Sequence, residues 1–176
     1  SASTDDPVEK PTPTYTSEDD DGIPTLRDPF GPDDVASLEP EPEPRRIIDV
    51  QREAMLIMSA GLEGLGDSYG IYGFSGYGRH CVEYYVAKEF RDAWTPATLR
   101  ALAAMRPRRS TRMGTAIRHT TKKLASTGAA LQVMVVLSDG FPQDSDYGPE
   151  RGDHRYGVAD TAQALREAET RGIATF

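Results

Sequence analysis

Cysteine is nearly absent from this sequence: Cys81 stands alone. One thiol makes neither an intrachain disulfide nor a thiolate metal cluster, and a reducing, cytoplasmic setting is the easier fit. Long apolar runs are missing too. No stretch approaches the ~20 residues that cross a bilayer as a helix, so neither a membrane span nor a signal peptide is expected. The G-x-x-x-x-G-K-[ST] loop that cradles nucleotide phosphates is also lacking, so no P-loop ATP site is expected in this chain. Basic charge is in short supply, with 20 Lys plus Arg against 28 Asp plus Glu and a formal net charge of −8. Nucleic acid is therefore not an expected partner.

What acid there is sits mostly in one place. Residues 5–44 hold 13 Asp plus Glu against Lys10 and Arg27, together with 9 of the 13 prolines. Such a segment buries too little apolar surface to offset its ordering entropy, and reads as a disordered acidic insertion. Its end, EPEPEP at 39–44, favours a polyproline II spacer. The remainder carries 18 Lys plus Arg against 15 Asp plus Glu. Three parts follow: a short loop at 1–4, the insertion at 5–44, and a folded body at 45–176 that ends as a strand begins. The chain reads as a piece of something longer.

Within the body, apolar residues at Ile47, Val50, Ala54, Ile57, Met58, Gly61, Leu62 and Leu65 return at helical spacing, and Gly66 supplies a left-handed cap. Residues 69–74 read as a short strand. Residues 81–86 alternate as an edge strand does, and the pair forms a hairpin. Thr95 and Pro96 open a helix to Met105, and a second helix runs from Thr115 to Ser126. The run Leu131 to Leu137 contains no charge and reads as a strand buried on both faces of a parallel sheet. A helix over 158–170 and a strand from Ile173 complete the order. This is an α/β chain of the Rossmann-like, doubly wound kind, mostly parallel with one antiparallel edge strand, and its first central strand would immediately precede Ser1.

Asp139 sits just past the carboxyl end of the charge-free strand, where open α/β sheets collect ligands. The loops at 1–4, 110–114 and 138–140 would share that end. They offer hydroxyls at Ser1, Ser3 and Thr111 and a carboxylate at Asp139. Hydroxyls with few carboxylates suit Mg²⁺ or Mn²⁺, a hard cation that keeps several waters and stays electrophilic. The bland alternatives are a turn cap for Asp139 and a helix cap for Thr111. His119 reads as a packed histidine, and Ser75 in G-F-S-G-Y misses the nucleophile elbow by one glycine. Arg106, Arg108, Arg109, Arg112, Arg118, Lys122 and Lys123 crowd the second loop, either as a solvated face or as an attractor of acidic partners.

The pattern S-x-S-T at the start, Thr111, and S-D-G after a hydrophobic strand resembles the metal-ion-dependent adhesion site (MIDAS) of von Willebrand factor A (VWA) domains, D-x-S-x-S…T…D. Its first Asp would lie two residues before Ser1. The pieces T-R-M-G-T-A-I-R-H at 111–119, L-S-D-G-F-P at 137–142 and Y-G-V-A-D-T at 156–161 are similar to the VWA domain of the NorD/CbbO type, found in activators of nitric oxide reductase and of rubisco. By that resemblance Ser1, Ser3 and Thr111 would contact the metal and Asp139 would act through water. The resemblance also implies a non-enzymatic adaptor that pairs with a MoxR-type AAA+ ATPase and grips an acidic residue of its client. The long insertion departs from the compact VWA pattern; one of its carboxylates could mask the open metal position. Two other functions stay open: a metal-dependent phosphotransferase or hydrolase using Asp139, and a metal-free interaction module.

Overall fold

A computed structural model describes residues 45–148, 150 and 153–176. The loop at 1–4, with Ser1 and Ser3, and the acidic insertion lie outside the described residues, as does any masking of the site by the insertion. Eight elements follow in order: α1 (Ile47–Leu65), β1 (Ile71–Gly76), β2 (Val82–Lys88), α2 (Pro96–Ala103), α3 (Met113–Ala125), β3 (Gln132–Met134), α4 (Arg155–Glu169) and β4 (Ile173–Thr175).

Local chemistry sets the ends. Gly66 closes α1 at φ 76°, in the left-handed region that costs glycine least. Thr95 caps α2 by accepting from the Thr98 N–H, with Pro96 in the first turn, where its missing N–H is harmless. The hairpin is antiparallel, with Phe74 opposite Tyr84 and Gly76 opposite Val82. β3 and β4 pair in parallel, Gln132 with Ile173 and Met134 with Thr175. Backbone bonds carry that pairing one step further, Phe176 N–H to Met134 O at 2.9 Å and Val136 N–H to Phe176 O at 2.8 Å.

Among the described residues these strands make two separate two-stranded sheets rather than one doubly wound sheet. Each has its own core. Met113, Ile117, Leu124, Met134, Ala164, Ala168 and Ile173 unite α3, α4, β3 and β4, and Ala164 and Ala168 are wholly buried. Tyr69, Ile71, Ala87, Leu102 and Met105 unite the hairpin and α2, with Met55 and Leu62 of α1 packed against them.

Two expectations are corrected. The strand at 131–137 is buried on one face only: Met134 is 5% exposed, whereas Leu131, Val133, Val135 and Leu137 lie open. Side chains alternate along a strand, and only the Met134 face meets α3 and α4. Likewise α1 buries Ile48 and Ser59 rather than the expected stripe, leaving Val50, Ile57, Met58 and Leu65 exposed. The helix has two apolar stripes, and the hairpin takes the narrower one.

Candidate functional site

The loop at 106–112 is stitched to the end of β1. Arg109 N–H donates to Ser75 Oγ at 3.0 Å, and Gly76 N–H donates to Ser110 O at 2.7 Å. Ser75 is buried and used as an acceptor, in keeping with its rejection as a nucleophile. One residue later, Thr111 N–H donates to Gln143 O at 2.7 Å, which joins this loop to the one leaving β3. Thr111 is 7% exposed. It does not cap the helix: α3 begins at Met113 after an Arg112 cap position with no side-chain bond.

Asp139 is half-buried beyond β3, and Ser138 Oγ meets the Gly140 backbone in a tight turn. The next acidic pair is spoken for. Asp144 has a fully buried side chain that accepts from Gly78 N–H at 2.7 Å, Ser145 N–H at 2.7 Å and Arg112 Nε at 2.9 Å. Asp146 holds Arg112 and Arg79, and the Arg79 backbone N–H keeps its carboxyl below the usual range. Both carboxylates are thus committed to arginine pairing. Among the described residues no cluster of three or more His, Cys, Asp or Glu would hold a metal.

The quoted motif pieces meet one another. Gly114 lies so close to the Asp160 carboxylate and the Tyr147 hydroxyl that a Cβ would collide with both. Gly157 is pressed in the same way against the Pro142 carbonyl and Tyr147. Asp160 also pairs with Arg118 at 2.8 Å and accepts from the Tyr147 hydroxyl. Burial and that carboxylate push Tyr147 up to about 12. α4 begins at Arg155, so Asp160 stands in its second turn. Tyr147 was not singled out by sequence reasoning; its only signal was an aromatic inside a polar loop.

His119 packs edge-on against Tyr84 with ring centroids 4.5 Å apart, as expected. The basic cluster divides. Arg112, Arg118 and Lys123 are tied to carboxylates, whereas Arg106, Arg108 and Arg109 point outward as exposed residues.

For a hard cation the described donors are a buried hydroxyl and a half-buried carboxylate on two hydrogen-bonded loops. That donor chemistry fits Mg²⁺, with Ser1 and Ser3 outside the described residues. No helix among the described residues is long and apolar enough to cross a membrane.

No protein-family profile matches the chain, and no solved structure matches it. Over 132 residues it is 36% identical to PA0525, an uncharacterized protein of Pseudomonas aeruginosa, covering 75% of this chain and 21% of that protein. Over 132 residues it is 33% identical to Protein NorD of Brucella suis, covering 75% and 20%. The chain is similar to part of NorD. A second protein of that name, from Stutzerimonas stutzeri, is 35% identical over 131 residues, 74% of this chain and 21% of that protein. The chain thus spans about a fifth of the length of the curated relatives it matches.

Proposed function

We propose that this chain is the metal-dependent, protein-binding part of a NorD-like accessory protein, and that it is not itself an enzyme. The observation that carries the reading is the similarity to two NorD proteins across three-quarters of the chain. The motif pieces at 111–119, 137–142 and 156–161 support it by converging around the Thr111 loop.

In this reading the two sheets are flanks of one VWA-type sheet. The VWA pattern would place a further parallel strand between β1 and β3, with β2 as the antiparallel edge. Such a strand, with α1 over it, would cover Leu131, Val133, Val135, Leu137 and the open stripe of α1, which is the support the exposed faces lend. Ser1, Ser3 and Thr111 would hold Mg²⁺ or Mn²⁺ directly and Asp139 would hold it through water. Neutral hydroxyls quench little of the ion's charge, so the bound metal supplies an electrophilic position for a client carboxylate. The partner supplying ATP hydrolysis is a MoxR-type AAA+ ATPase, and the client an enzyme of the nitric oxide reductase or rubisco kind. A phosphotransferase reading needs a lysine at the site, and Lys123 instead binds Glu89 at 2.6 Å.

The test is a calorimetric titration of the chain with Mg²⁺ and Mn²⁺ beside T111A and D139A. One-to-one saturable binding, weakened at least about tenfold in each variant, is expected. Binding that ignores both substitutions would overturn the site, and no binding would leave a metal-free module.

A further inference from the structure

Several arginines of this fold are held by carboxylates. Arg112 is 11% exposed and held by Asp144 and Asp146; Arg118 is held by Asp160 and Glu167; Arg155 is held by Asp153. The Arg112 and Arg118 pairs join segments distant in sequence, whereas Arg155 pairs only within its own turn. The run Arg106-Pro-Arg-Arg109 is different. Arg106 turns its guanidinium to the Ala103 and Met105 carbonyls, at 2.7 and 3.1 Å. Arg109 lies 5.2 Å from the Tyr77 ring centroid. Neither makes an ion pair among the described residues. Arg108 touches Glu83 at 3.4 Å with both side chains open to solvent, a pairing of small worth.

Three exposed guanidiniums within four residues repel one another. Arg52 registers the Arg106 charge: burial, then that charge, lowers its guanidinium pKa. A protein that merely needed solubility there would gain as much from mixed signs. The loop is also rigidly presented, by Pro107, by Arg109 N–H on Ser75 and by Ser110 O on Gly76, so little ordering entropy opposes binding. Its next residue is Thr111.

We propose that Arg106, Arg108 and Arg109 form a docking surface for a carboxylate-rich segment of a partner protein. The partner's acidic run lies along the loop, each guanidinium offering a planar fork to one carboxylate. In the proposed function this run flanks the residue gripped at the metal; the arginine contact itself rests on the exposed loop alone. The surface selects partners with several clustered acids over those with a single exposed one, and it speeds encounter at low salt.

The test uses the whole chain and a fluorescein-labelled octaglutamate peptide, followed by anisotropy across a salt series in EDTA. Chelation takes the proposed metal out of the assay, so failure of the metal reading leaves this test untouched. Three reversals, R106E with R108E and R109E, are expected to weaken binding at least about tenfold at low salt and to flatten its salt dependence. The corresponding lysine variants should fall between the native and reversed chains, keeping the salt dependence because charge is kept but losing affinity because the planar fork is lost. Should the triple reversal unfold, R106E with R109E carries the same test, because neither holds a carboxylate here. Equal affinity and equal salt slope in the reversed and native chains would overturn the proposal. So would an oligothymidine of matched charge binding more tightly than the peptide.

Discussion

Glu89 shows how single side chains tune this fold. It accepts from Lys123 at 2.6 Å and from the Tyr72 hydroxyl at 2.8 Å, tying the end of β2 to α3. The Lys123 hydrogen bond, against some burial, holds its carboxyl below the ordinary value of 4.5. A carboxylate with a depressed folded value stabilises the protein above its unfolded value and loses that contribution as pH falls through the folded one. The urea midpoint should therefore be flat above pH ~4.5 and fall below it, and E89Q should flatten that fall. An identical acid slope in E89Q would show that other carboxylates carry the linkage. Asp144 is the buried counterpart: three donors meet its side chain, so it holds the loop after β3 to the hairpin without needing a metal.

At the scale of elements, α1 decides most. Its sequence carries two apolar stripes, and the wider one suggested the core. The structure packs Met55 and Leu62 against the cluster that holds Tyr69, Leu102 and Met105, and buries Ile48 and Ser59 on the helix. I48A should thus cost ~2–4 kcal/mol in chemical denaturation, whereas I57A, at a side chain 72% exposed, should fall within ~0.5 kcal/mol of the native chain. The reverse order would mean that the helix is rotated. Between α3 and α4 the close approach comes from Gly114, Ala164 and Ala168, residues too small to keep the helices apart.

For the molecule as a whole the main fact, among the described residues, is the division into two small sheets, with β1 paired to β2 along one edge and met on the other only by Ser110, and β3 open on one face. Exposed apolar patches of this kind bind hydrophobic dyes and invite association. The chain is expected to enhance the fluorescence of anilinonaphthalene sulfonate, and V133K with V135K should abolish most of that signal without lowering the melting temperature. A signal indifferent to those substitutions would place the dye elsewhere; the apolar pocket lined by Met113, Val136, Phe141 and Leu165 would be the next place to look.

Much of this was legible from sequence because it is encoded locally. A capping threonine before proline, a glycine that accepts positive φ, and alternation within a hairpin act over a few residues. The motif pieces also pointed to relatives, and those relatives are named NorD. Burial was not legible in the same way. Which stripe of α1 faces inward, and that β3 buries one face rather than two, depend on partners distant in sequence. The fate of each charge was likewise a tertiary matter: Arg112 and Arg106 look alike in a string of letters, and only folding brings Asp144 to one and leaves the other facing solvent. Periodicity specifies which residues share a face; packing alone selects which face is inside, because burial free energy is realised only against whatever surface the rest of the chain presents.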